Sequence, residues 1–159
     1  MRKSLIAGLA IAGVAVGAIA YADNHVSDAQ KEAAVKARKA HMTLYAFNLG
    51  TLGAMAKEEM PYDAAAATAA ADAIAALAQL PQSGYWLPGT DNQSMEKTRA
   101  LPAIWADGSD VGTKAGDLVK AAMEMQTAAA MDLDSLKAAM GPLGASCGGC
   151  HKSFRQPDE

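Results

Sequence analysis

The chain has 159 residues, 51% of them hydrophobic and 19% charged, with a formal net charge of −3 and only two cysteines. That length and hydrophobic content suit one domain with a core of ordinary size. The acidic balance excludes the basic footprint of a nucleic-acid-binding protein, and no internal repeat or long low-complexity linker divides the sequence.

Arg2 and Lys3 precede an uncharged, mostly aliphatic stretch from Leu5 to Ala20, which ends in small residues around Ala20-Tyr21-Ala22. This is the form of a secretory signal peptide. Cleavage after Ala22 leaves residues 23–159 as the mature domain and takes the charge from −3 to −5, since it removes two basic residues and no acidic one. An uncleaved anchor is the weaker reading, because the apolar stretch is slightly short of a bilayer span and rich in Gly and Ala. The mature protein is expected to be exported, periplasmic and without a membrane anchor.

The mature sequence is rich in Ala, Leu, Met and Lys, poor in β-branched and aromatic residues, and punctuated by Pro and Gly, which predicts an all-α fold. A first helix starts at Ser27, whose hydroxyl caps the first turn while Gln30 reaches back in a capping box. Its apolar stripe runs Val35, Met42, Tyr45, Leu49, Leu52 and on toward Met55, before Lys57-Glu58-Glu59 and Pro61 end it. A second helix follows Asp63 as N-cap and runs through alanines to Ile74, Leu77 and Leu80, where Pro81 stops it. Residues 81–108 form the longest irregular stretch; Tyr85, Trp86 and Trp105 predict that it is packed. A third helix from Ser109 or Asp110 to Ala130 sets Val111, Ala115, Leu118, Ala122, Met125 and Ala129 on a bundle seam.

The fourth helix follows a turn at Asp132 to Ser135 and aligns Met140, Leu143, Cys147, Cys150, His151 and Phe154 on one face. Glycines 141, 144, 148 and 149 each cost ~1 kcal/mol there relative to alanine, and Pro142 costs more. A kink or a helix start is expected near Pro142. Two short connections and one long one make an antiparallel four-helix bundle with a long crossover.

Both cysteines lie in the run Cys147-Gly148-Gly149-Cys150-His151, the C-x-x-C-H pattern of covalent haem attachment. Two thiols three positions apart on a helix can add to the two vinyl groups of one porphyrin, with the following imidazole held beneath the iron. A structural zinc site wants four ligands, and the other histidines, His25 and His41, are isolated and far upstream. A dithiol redox centre would follow a strand in a βαβ unit, and no strand pattern precedes this pair. A purely structural disulfide or zinc clip is the alternative.

Downstream of His151 there is no Met or His, so any sixth iron ligand is expected from upstream. Arg38 and Met42, four apart, fall on the stripe of the first helix with Val35 and Tyr45. Burying an unpaired guanidinium costs several kcal/mol, so Arg38 either pairs with a haem propionate or extends from the edge of the stripe into solvent. Met42 either fills core or stands over the iron as a ligand or a steric plug. His41 points about 100° away from Met42 and reads as an edge residue. His25 reads as a solvated residue of the terminal arm.

The chain resembles the class II c-type cytochromes, above all cytochrome c′. The resemblance rests on Ala37-Arg38-Lys39 with Met42, on Ala54-Met55-Ala56-Lys57 and Pro61-Tyr62-Asp63-Ala64-Ala65 at the first turn, on Pro88-Gly89-Thr90 and Pro102-Ala103-Ile104-Trp105 in the crossover, and on Cys147 to Arg155. It implies a four-helix bundle, usually a homodimer through its first two helices, with haem c inside. It implies His151 as proximal ligand, Cys147 and Cys150 as thioether attachments, Arg38 as a propionate neighbour, and Arg155 as the basic residue beside the proximal imidazole. Trp86 falls close to a position that approaches the distal pocket in relatives. Gly148-Gly149 departs from the lysine or bulky residue frequent there, and Pro142 is unexpected.

Class II members with methionine at the position of Met42 include both five-coordinate and six-coordinate haems, which leaves two functions. If Met42 ligates, the haem is a closed carrier of electrons between periplasmic redox partners. If Met42 only covers the distal face, the iron is five-coordinate and binds NO or CO. No paired acid and base or activated nucleophile suggests an enzyme.

Overall fold

The computed structural model describes residues 26–157; the expected signal peptide, His25 and the last two residues lie outside the described residues. Four helices account for most of the described chain: α1 (Asp28–Ala56), α2 (Ala64–Gln79), α3 (Val111–Ala129) and α4 (Leu133–Phe154). Among the described residues there is no strand, only an isolated bridge between Ala100 and Arg155.

The helix ends follow local chemistry. At the start of α1, Ser27 Oγ accepts from Gln30 N–H while the Gln30 side chain accepts from Ser27 N–H, so the capping box forms. Its other end is a Schellman turn: Glu59 N–H donates to Ala54 O and Glu58 N–H to Met55 O, with Glu58 at a φ of 60°. Asp63 caps α2 by accepting from Ala66 N–H, and Asp132 caps α4 by accepting from Ser135 N–H.

The core lies where α3 meets α2 and α4 and where α1 meets α2. Leu52, Met55, Ile74, Met125, Leu136 and Leu143 are fully buried. Alanines at 67, 70, 71 and 75 on α2 and at 121, 122 and 129 on α3 are buried among them, so the helices approach closely without large side chains. The α3 seam holds from Ala121 onward, but Ala115 is exposed.

Of the two outcomes expected near Pro142, a kink or a helix start, the helix start does not occur. Helix α4 runs unbroken from Leu133 to Phe154 with Pro142 inside it, so no helix starts at the proline. Leu136 and Leu143, both 0% exposed, pack into the same core on either side. Burial of both flanks compensates for the lost amide hydrogen bond.

The crossover is packed, as its tryptophans predicted. It carries short 3-10 turns at Ser83–Tyr85 and Pro102–Trp105 and builds a second cluster of Ala100, Ile104 and Phe154 against Trp86, Trp105, Val111 and Cys150. Leu101 N–H donates to Phe154 O, and Gln156 N–H donates to Arg99 O. The crossover is thereby stitched to the segment immediately after His151.

Candidate haem site

The last two turns of α4 bring the sequence motif together. Cys147, Cys150 and His151 stand at helical offsets of three and four, so they share one side of α4. Both thiols are free and half-buried. Burial pushes the Cys147 thiol pKa up, partly offset by the Ser146 side chain, and burial together with Cys147 pushes Cys150 up. The imidazole of His151 is held below the usual histidine range by burial and by the charges of Arg155 and Arg99. A neutral imidazole offers a free lone pair to a metal. A Cβ built on Gly144 or Gly148 meets nothing within 4 Å, so no neighbouring side chain crowds this side of α4 at those positions. Two protonated thiols, a neutral imidazole and that uncrowded side fit a covalently held porphyrin. A zinc clip fits poorly, because among the described residues no three His, Cys, Asp or Glu side chains gather to hold a metal.

Helix α1 supplies the other candidate residues, and two differ from the sequence expectation. Met42, expected on the buried stripe, is 38% exposed. His41, expected at an edge, is only 5% exposed; its ring lies 4.9 Å from that of Tyr45 and 6.1 Å from that of Tyr85. Both departures have one cause: the 3₁₀ turn Ser83–Tyr85 also packs on α1, so the buried face extends past the predicted stripe to Ala34 and His41, alongside Arg38 and Tyr45 of the stripe itself. Burial lowers the His41 pKa despite the Leu77 carbonyl, and burial raises the Tyr45 pKa to about 12, with Cys147 adding to the shift. Tyr45 therefore faces the attachment cysteine. His41 Nε2 and Tyr45 Oη are both buried without a hydrogen-bond partner among the described residues.

Arg38 is buried, 4% exposed, and the crossover holds it. Its Nη1 donates to Thr90 Oγ1 at 2.7 Å and to Tyr85 O at 3.5 Å, and its Nη2 donates to Thr98 Oγ1 at 2.6 Å and to Thr90 O. The guanidinium carbon lies 4.9 Å from the centre of the Trp86 ring and 5.9 Å from that of Trp105. Burial lowers the Arg38 pKa and the charge of Asp91 opposes that shift. Burial works against ionised Asp91, but hydrogen bonds from the Ser94 side chain and from the Gln93 and Ser94 amides keep its pKa below the usual carboxylate range. The solvent-extended reading of Arg38 is thus overturned.

Sequence reasoning missed Tyr45 as a polar group, Arg99 beside His151, and the threonines that hold Arg38. Tyr45 sits four residues after His41, which is a readable signal. Arg99 and the threonines reach the site only through the tertiary path of the crossover, and nothing local marks them.

A sequence profile of the family described as Cytochrome C′ matches residues 33–155. The chain belongs to the cytochrome c′ family. It is 46% identical over 129 residues to cytochrome c-554 of Cereibacter sphaeroides, covering 81% of this chain and 97% of that protein. The solved cytochrome c′ of Rhodobacter spheriodes superposes with a TM-score of 0.78 at 38% identity, over 80% of this chain and 98% of that one. A nitric oxide complex of a mutant cytochrome c′ from Alcaligenes xylosoxidans superposes with a TM-score of 0.70 at 35% identity, over 80% and 97%. Cytochrome c′ proteins carry covalent haem c, and the two cysteines of this member are Cys147 and Cys150.

Proposed function

We propose that this cytochrome c′ family member is a periplasmic electron carrier, with haem c bound through Cys147 and Cys150 and with His151 as proximal iron ligand. The observation that carries the reading is Cys147, Cys150 and His151 brought to one side of α4 with both thiols free. The haem supplies one-electron chemistry at iron when bound. The protein's own residues fix its place. The thiols tether it to the final turns of α4, and Arg155 lends positive charge beside the imidazole. Arg38 already donates through both Nη atoms to the crossover, so it would meet a haem propionate as a fixed charge. Met42 on α1 would be the second protein residue to hold the iron.

Residues 1–22 act as the export signal and residues 23–159 as the mature domain. Among the described residues no helix is long and apolar enough to cross a membrane. A homodimer through the first two helices is supported by Leu44 at 50%, Phe47 at 73% and Leu80 at 45% exposure.

A second reading, binding of NO or CO at a five-coordinate iron, is favoured by the nitric oxide complex of the Alcaligenes relative and by the 38% exposure of Met42, which leaves its side chain room to swing aside. The optical spectrum separates the two. Met42 ligation predicts a sharp low-spin α-band in the reduced protein, little change on adding CO, and loss of that band in Met42→Ala. A broad high-spin spectrum with ready CO binding, unchanged in Met42→Ala, selects gas binding.

A further inference from the structure

Both tryptophans of the chain stand on the crossover, and both join the packed cluster that takes in an attachment cysteine. Ala100, Ile104 and Phe154 are the buried centre of that cluster, and Trp86, Trp105 and Cys150 pack against it. Phe154 follows Cys150 by one turn of α4, and Leu101 N–H donates to Phe154 O at 2.9 Å, so the crossover is fastened to that turn. The residue read as a haem tether and the two indoles therefore belong to one packed body.

Hydrogen bonds fix the rings within it. Trp105 Nε1 donates to Trp86 O at 2.9 Å, and the ring centres lie 6.4 Å apart with the planes tilted by 51°. Trp86 Nε1 donates to Gln82 Oε1 at 3.4 Å. The guanidinium carbon of Arg38 stands 4.9 Å from the first ring centre and 5.9 Å from the second. A cation attracted to a π face raises the cost of removing an electron from that ring. The indoles are thereby made hard to oxidise while staying in contact with their neighbours. Both are half-buried, so each also shows an edge to solvent.

We propose that Trp86 and Trp105 couple a haem tethered at Cys150 to the surface of the crossover and form the route by which its electron leaves. The inference rests on the electron-carrier reading and adds the path. Electron tunnelling weakens steeply at every through-space gap, and close packing holds those gaps to van der Waals contact. One electron passes from ferrous iron to an acceptor at the crossover surface. Neither indole is oxidised on the way, because the charge of Arg38 opposes a cation on either ring.

The test uses the haem-loaded full chain, in which thioether formation consumes both native cysteines, so a single introduced cysteine takes a thiol-reactive ruthenium(II) polypyridyl label. Ala106→Cys puts the label beside Trp105, and Ala138→Cys puts it on α4 about 14 Å from Cys147; both positions are exposed. After a laser flash, the excited label gives one electron to hexaammineruthenium(III), and the ruthenium(III) label so formed takes one electron from ferrous haem. Trp105→Leu is expected to slow that second step several-fold from position 106 and to leave it unchanged from position 138. The reduced optical band and the reduction potential are expected to stay as in wild type. Trp105→Phe, which keeps a ring in the cluster, is expected to slow the step from position 106 by less, and it decides alone where the leucine variant does not take up haem. Equal slowing from both labels, or no slowing from position 106, overturns the route while leaving the electron carrier standing. A haem oxidised from neither label overturns both.

Discussion

Replacing Arg38 with methionine removes the polar centre of the crossover at nearly constant chain length. Three acceptors lose their best donor: Thr90 Oγ1, Thr98 Oγ1 and Thr90 O. Thr90 Oγ1 still donates to Leu87 O, so only its acceptor role is lost. At about 1 to 3 kcal/mol for each buried acceptor left unsatisfied, and about 1 kcal/mol for the cation above Trp86, the gross loss is roughly 4 to 10 kcal/mol. Relief from burying a guanidinium returns several kcal/mol of that. The expected net loss is therefore about 3 kcal/mol, or roughly 10 °C in melting temperature for a domain of this size. Urea unfolding of the haem-loaded protein, followed by far-ultraviolet circular dichroism and by tryptophan fluorescence, reads the free energy, and a thermal melt reads the temperature. Fluorescence is the sharper probe, since Trp86 and Trp105 both lie under the guanidinium. An Arg38→Met protein within about 0.5 kcal/mol of wild type, with unchanged tryptophan emission, would refute the assignment of Arg38 as the crossover's anchor.

Tyr45, with its pKa raised to about 12 by burial, stays protonated in the folded state while the unfolded chain ionises near pH 10. Folding stability is therefore full below pH 10 and falls by about 1.4 kcal/mol per pH unit from pH 10 to about 12. Tyr45→Phe removes that slope in denaturant titrations at each pH. Leu143→Ala, in the fully buried core, costs about 3 kcal/mol by the same unfolding assay. Cys150→Ser leaves one thioether at Cys147, so haem survives acid–acetone extraction with a shifted reduced band, whereas loss of both cysteines releases it. Phe47→Asp, at a position 73% exposed, converts a homodimer to monomer in analytical ultracentrifugation; an unchanged sedimentation coefficient would move the dimer interface elsewhere.

Periodicity and punctuation made the bundle legible. Ser27 with Gln30, Asp63, Pro81 and the spacing of Leu143, Cys147 and Phe154 are local signals, and the helices form where those signals stand. The attachment motif was legible because its chemistry is compressed into one helical turn. What one stripe cannot reveal is how many neighbours a helix has. Helix α1 faces α2, α4 and the 3₁₀ turn at Ser83–Tyr85, so His41 went inside and Met42 came toward the surface. A helix start at Pro142 failed for a related reason: helix propensity is local, while the packing of Leu136 and Leu143 that carries α4 through the proline is tertiary. Arg99 was invisible because its link to His151 runs through backbone pairing between residues more than fifty positions apart.

Electron transfer by a haem tethered to Cys147 and Cys150 is tested most directly by spectroelectrochemical titration of the haem-loaded protein. The expected result is a single reversible one-electron wave, with the same low-spin band regained after each cycle and unaltered under CO. A wave that is irreversible, or that shifts on adding CO, would contradict a closed electron carrier at this site.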